Sequence, residues 1–328
     1  MAYTTIDNPE LYFQTKLFAG NGSNSHAITL DGDEDMSPNF VWIKSQSSNS
    51  HRLTDSVRGA TKVLYTDLNW AEVTDADTIQ SFDSDGFTLD DDTDTNGDTQ
   101  NFTAWCWKES ATAGFDIVSY TGNATNRTIS HSLSAAPKVV IIKDRSTTGE
   151  WVFGHAGLGF TKFIEMNSHG AAQTVTSRFN DTAPTSSVFT VGTANDTNEN
   201  TDSFIAYLWA EKQGYSKFGT FVGNANTNGP MVWTGFRPAY VLFKKTTGSA
   251  ANWQVWDNKR DPENSVNNSS LPDNVAADQT DQEIDFLSNG FKIKTVGHHV
   301  NGDGITFIFM AFAEAPFVNS KGVPCNAR

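Results

Sequence analysis

Cysteine is almost missing from this chain. There are two in 328 residues, Cys106 inside the apolar run AWCWK and Cys325 near the C-terminus. With no Cys-x-x-Cys and no regular spacing, neither a disulfide framework nor a zinc site can be written from them. Positive charge is also scarce: 23 Lys and Arg stand against 38 Asp and Glu, a formal net charge of −15. A surface so acidic repels phosphate backbones, which argues against nucleic acid as a partner, and it is also a common route to solubility. No apolar run approaches the roughly 20 residues of a membrane span, so membrane insertion is not expected. The opening MAYTTIDNPELYFQTK lacks the basic-then-apolar pattern of a secretory signal, and folding in a cytosol is expected.

What is abundant is aromatic: 23 Phe, 9 Trp and 7 Tyr among many Asn, Asp, Thr, Ser and Gly. Aromatic and β-branched residues fit pleated surfaces, while Asn, Asp and Gly tolerate turns, so the composition points to many short strands.

Internal repetition organises these strands. LFAGNGS at Leu17, SYTGNAT at Ser119 and TFVGNAN at Thr220 each carry Gly-Asn after an aromatic. Each is followed by a proline-led run: PNFVWIK at Pro38, PKVVIIK at Pro137 and PAYVLFK at Pro238, ending in Lys44, Lys143 and Lys244. His51, Trp151 and Trp253 come next, then Phe87, Phe189 and Phe291 at a constant spacing of 102 residues. The copies close on FTAWCWKE, FIAYLWAE and FIFMAFAE, in which Trp105, Tyr207 and Phe312 align as core positions, as do Trp107 and Trp209.

The reading is an all-β chain of three tandem, divergent β-sandwich modules of jelly-roll or lectin-like type. The modules span 17–110, 115–212 and 217–317, with an N-terminal arm 1–16 and a tail 318–328. The proline-led runs are apolar on both faces and read as inner strands, each opened by its proline. Gly-Asn is expected to supply a tight turn with positive φ. Linkers at 110–114 and 213–216 are short, predicting a compact three-lobed body. Helix is confined to two short candidates, 55–64 and 273–285.

Motifs for catalysis are sparse. There is no Gly-x-Ser-x-Gly, no phosphate-binding glycine loop and no His-Glu-x-x-His, and no carboxylate pair stands out among 38 acids. The chain therefore reads as a structural and recognition protein and not as an enzyme. Cofactors are not expected. The one ionic candidate is DDDTDTNGD, where Asp92, Asp94, Asn96 and Asp98 resemble the oxygen ligands of a calcium loop. Thr103 stands where such a loop has its bidentate Glu, so an acidic turn is the competing reading. Trp70, Trp233 and Trp256 have no counterparts in the other copies and are candidates for stacking a sugar or anchoring a partner. In the arm, Leu11, Tyr12 and Phe13 are candidates for docking on a sister subunit or another particle protein, with docking on the first module as the alternative.

The runs YTGN, Pro-x-x-Val-x-Ile/Phe-Lys, HRLTDSVRGATK, SFDSDGFTL, AWCWK and GFRPAYVLFK resemble a family of tail-fibre or virion structural proteins of marine tailed bacteriophages, whose shared domain has no assigned function. The resemblance runs from about Ala2 to Phe317. It implies a virion component made in the bacterial host cytoplasm and assembled with other virion proteins, a homo-oligomer with a trimer favoured. It would contact a host glycan or outer-membrane receptor. A capsid decoration protein and a polysaccharide depolymerase or lectin are the alternatives. The chain lacks heptads, collagen-like repeats and a shaft, and the family supplies no catalytic residues.

Overall fold

The computed structural model describes residues 2–325. It is built almost wholly from antiparallel strands, and one pairing scheme recurs three times. Each module has an opening strand (Phe13–Ala19, Phe115–Thr121, Ser216–Val222) hydrogen-bonded to a closing strand (Asn101–Trp107, Ser203–Trp209, Thr306–Pro316). The closing strand pairs on its other side with the proline-led strand (Phe40–Ser45, Val139–Asp144, Phe236–Lys245). That strand in turn pairs with a fourth strand (Arg52–Asp55, Val152–His155, Gln254–Asp257), which in the second module pairs onward with Lys162–Glu165. Against this four-strand unit lies a smaller outer sheet: His26–Ile28, Gly86–Leu89 and Ile79–Asp83 in the first module, Arg127–Ser130 and Val188–Val191 in the second, and Met231–Trp233, Gly290–Ile293 and Ile284–Leu287 in the third. The modules are sandwich-like, with an outer layer thinner than the four strands of a jelly roll.

The two faces of the proline-led strands go to different places. Val41 and Ile43, Val140 and Ile142, and Val241 and Phe243 enter the private core of their own module, between its two sheets. The alternate residues, Phe40 and Trp42, Val139 and Ile141, and Tyr240 and Leu242, all enter one further core shared by the three modules. Period-two alternation sends successive side chains to opposite faces, and here both faces are covered. At the centre a small cavity of about 20 Å³ is lined by residues of every module, among them Trp42, Ile141, Tyr207 and Tyr240.

Polar contacts run around this shared core in one sense. Tyr207 of the second module donates its hydroxyl to Asp55 of the first at 2.7 Å. His155 of the second module donates Nε2–H to the Phe309 carbonyl of the third at 3.2 Å. Trp105 of the first donates its indole N–H to Asp257 of the third at 3.1 Å. Asp55, His155 and Asp257 occupy equivalent positions, opposite Phe40, Val139 and Tyr240. A second ring uses His51, Trp151 and Trp253, which donate to the carbonyls of Leu271 (2.9 Å), Tyr65 (2.8 Å) and Glu165 (3.1 Å), each in a neighbouring module. His51 Nδ1 accepts from the Trp42 indole, so Nε2 carries the proton, and burial holds its pKa well below the usual range.

Several expectations change. The register makes Phe312 the partner position of Trp107 and Trp209, while Met310 corresponds to Trp105 and Tyr207. Pro38 and Pro137 lie two residues ahead of their strands. Pro238 sits inside Phe236–Lys245, at a bulge where the lost N–H disturbs the ladder anyway. Gly20, Gly122 and Gly223 do not have positive φ. They are needed because a Cβ would strike the carbonyl oxygen of Gly97, Glu199 or Gly302 at 1.9–2.3 Å, and the positive φ falls two residues on, at Gly22, Ala124 and Ala225. Residues 55–64 hold a turn followed by the short strand Lys62–Val63 and not a helix, because the Asp55 carboxylate takes the N–H groups of Val57 and Arg58. Residues 273–283 are loop with an isolated bridge, Ser269 to Gln279, and 284–285 open the strand Ile284–Leu287. Helix is limited to single turns, including Thr93–Asn96, Asn195–Asn198 and His298–Asn301 at the same point of each module.

Candidate functional site

The acidic loop is the first candidate. Asp92 caps the turn by accepting the Asp94 N–H at 3.1 Å, and Asp94 pairs with Arg52, whose Nε lies 3.8 Å from Asp92. The same guanidinium lies 4.4 Å over the Tyr65 ring. Asn96 is fully buried. It accepts from Asn21 N–H at 3.0 Å and donates to the carbonyls of Ser23 and Asp90 at 3.0 and 2.8 Å. Asn198 and Asn301 repeat these bonds, to Asn123, Thr125 and Gly192 and to Asn224, Asn226 and Thr295. Asp98 is exposed. The four side chains therefore do not converge on one point, and among the described residues no group of three His, Cys, Asp or Glu side chains could hold a metal ion. The resemblance to a calcium loop comes from a structural asparagine of the repeat with a cation-paired turn beside it.

The arm is part of the body. Pairing begins at Phe13, opposite Trp107, so the first module starts four residues before Leu17. Phe13 is buried against Trp107 at 4.7 Å and against Tyr240 and Phe312 of the third module at 5.5 and 5.4 Å. Tyr12 meets Tyr215 edge-on at 6.1 Å, and Leu11, half-buried, ends the short turn Pro9–Leu11. Further up, Tyr3 donates to the Gly235 carbonyl at 2.7 Å and Asp7 accepts from Ser320 N–H at 2.7 Å. These residues close the first module onto the third within one chain.

Trp256 is also internal. It is fully buried against Phe243, with ring centroids 4.6 Å apart, and donates to the Gln282 carbonyl at 3.2 Å. The second module has Gly154 at this position, and the rings of Phe160 and Phe179 fill the space instead. An unshared tryptophan can thus be a local packing solution.

Trp70 and Trp233 are different: 51% and 54% exposed. Trp70 stands edge-on to Tyr65 at 5.4 Å, beside the seam where Glu72 pairs with Arg145 of the second module. Trp233 projects from the outer sheet of the third module with Met231, and Phe317 meets its indole at 5.7 Å. Sequence reasoning found Trp233 but missed Met231 on the same strand, and Tyr3 and Phe317, which are distant in the chain and reach this corner only on folding.

The invariant lysines are structural. Lys44, Lys143 and Lys244 are buried, and desolvation lowers each pKa to about 8. Each spends its ammonium on backbone carbonyls, Ser45 and Ser47 at 2.6 Å, Asp144 at 2.7 Å and Ser168 at 2.9 Å. A shifted lysine pKa is often a sign of catalysis; three copies each holding nearby backbone carbonyls, with Lys244 also tying the third module to the second, point instead to architecture.

Residues 8–316 match the sequence pattern of a family described as a domain of unknown function, DUF7483. The chain belongs to the DUF7483 family. The matched region begins at the Asn8 cap of Pro9–Leu11 and ends on Pro316, the last residue of the closing strand, so a DUF7483 domain here comprises all three modules and their shared core. No curated protein matches the chain.

Proposed function

We propose that this DUF7483 protein is a structural component of a tailed-bacteriophage virion, a globular tail appendage that meets the host surface. The observation that carries the reading is the fusion of three modules around one core. Virion appendages are resembled by the sequence, and they are commonly built with threefold symmetry. Here the threefold arrangement is met inside a single chain, by the cyclic contacts of Asp55, His155 and Asp257. A body with its module seams sealed by aromatic packing and buried hydrogen bonds resists relative motion, which suits a load-bearing part. The strongly acidic composition favours solubility before assembly. Recognition by an outward surface, in place of catalysis, is supported by the use of the most perturbed groups, such as Lys143 and His51, in structural hydrogen bonds.

Immunogold labelling of purified particles tests the reading. Label on the tail supports it, label on the head moves the protein to capsid decoration, and particles without label overturn it. Release of oligosaccharide from host envelope glycans would replace the appendage with a depolymerase.

A further inference from the structure

The three outer sheets offer a comparison internal to the molecule. Phe87, Phe189 and Phe291 sit at equivalent points, opposite Ile28, Ile129 and Val232, all facing inward. The residues on either side of that inward position must face out. They are Ala27 and Thr29 in the first module, Thr128 and Ser130 in the second, and Met231 and Trp233 in the third. Two copies carry small or hydroxylated residues on this face, as solvent demands. The third exposes a methionine and a tryptophan, 42% and 54% accessible.

The surroundings of Trp233 are built. Phe317 braces the indole, with ring planes 66° apart. The edge-strand tryptophan lies opposite Gly290, where a Cβ would strike the Val232 carbonyl oxygen at 2.0 Å, so the position opposite Trp233 carries no side chain. A Cβ at Gly235, whose φ is +85°, would stand 2.6 Å from the Tyr3 hydroxyl oxygen and 3.6 Å from the Trp233 indole nitrogen, so these two polar atoms lie close together at one corner. The Tyr3 hydroxyl already donates to the Gly235 carbonyl, so towards a ligand it can accept, while the indole N–H can donate.

We propose that this corner binds a neutral pyranose ring stacked on Trp233. The C–H face of a pyranose is weakly positive and apolar, matching the negative face of an indole, and its hydroxyl edge would meet the Tyr3 oxygen and the indole N–H. Two half-exposed side chains offer on the order of 200 Å², well short of the roughly 800 Å² per partner of a stable protein interface. A net charge of −15 disfavours both a second copy of the chain and an anionic polysaccharide. This inference rests on the reading of the protein as a surface-binding particle component and names the ligand class and the site.

Saturation-transfer NMR on the full chain, with a set of neutral methyl pyranosides and a uronic acid as anionic control, tests it. Trp233→Thr copies Thr29 of the first module and keeps a strand-compatible residue. Transfer to a neutral sugar that falls at least about fivefold in Trp233→Thr, and persists in Trp70→Ala, supports the proposal. It is overturned by no transfer to any neutral sugar, by transfer that Trp233→Thr leaves intact, by preference for the uronic acid, or by a wild-type dimer that Trp233→Thr dissolves. Failure here with gold label on the tail leaves the appendage reading standing. Sugar binding by a protein absent from particles keeps the site and removes the appendage.

Discussion

The private cores and the shared core are filled by the same strands under different rules. Inside the modules the repeats agree closely: Phe102, Phe204 and Phe307 correspond, as do Phe87, Phe189 and Phe291. Each occupies its own copy of one pocket, so one residue solves the packing three times. In the shared core the corresponding residues differ: Trp105, Tyr207 and Met310, or Phe40, Val139 and Tyr240. Three side chains there compete for one volume at crystal-like density, so three identical large ones would collide and three small ones would leave a void. At these two shared-core positions divergence between the copies is thus a packing requirement, while a private position can diverge as well, as Trp256 and Gly154 do.

Truncation in the shared core breaks this comparison most severely. Tyr207→Ala is expected to cost about 4–5 kcal/mol, the cost of a large buried cavity plus the lost bond to Asp55. Denaturant melts should show a single transition moving as a whole, while Tyr207→Phe should lose only about 1–2 kcal/mol. Two separated transitions in the alanine variant would mean that the modules fold independently. A private feature should behave locally. Asn198→Ala removes the hub of the second module's turn and leaves three carbonyl or amide partners short, that of Gly192 buried and the others part-buried, for about 2–3 kcal/mol. Hydrogen exchange should quicken around residues 122–126 while the other modules keep their protection.

The smallest expected effect concerns the seams. Asp116 and Lys217 occupy equivalent positions after the first residue of their opening strands. At the second seam Glu211 pairs with Lys217 at 2.7 Å, whereas at the first seam Glu109 faces Asp116. Burial, then the hydrogen bond and the like charge of Asp116, raise the Glu109 pKa to about 7, with Asp55 adding to the push. A raised folded-state pKa contributes stability at low pH that is lost as pH rises through about 7. The half-exposed position screens the effect to about 1 kcal/mol. Wild type should lose that stability between about pH 5 and 8, and Asp116→Asn, which still accepts from Ser132 N–H, should flatten the profile.

The strand class, the three copies and most landmarks were legible because they depend on local alternation and on turns. The equivalence of Phe312 was misassigned because residue type stops repeating at the shared core, and only the ladder to Tyr240 fixes it. The helix expected over 55–64 gives way to a turn closed by the Asp55–Arg58 ion pair, and Asp257 and Arg260 show the same pair closing the same turn. In the calcium-like loop the cation that pairs with Asp94 is Arg52, some 40 residues away in sequence, which no local motif reveals. Of the candidate surface, Trp233 could be picked out by having no counterpart; its companions Tyr3 and Phe317 come from opposite ends of the chain, and no spacing rule joins them.

The shared core also dictates an order of events during synthesis. Phe40, Trp42 and Trp107 leave the ribosome well before Tyr240, Met310 and Phe312, which help to cover them, have been made. At roughly 5–20 residues per second, the nascent protein carries that aromatic surface uncovered for on the order of 10–40 s. Completion of the third module is therefore the step that ends the exposure, and a chain stalled before it would be a natural client for a chaperone.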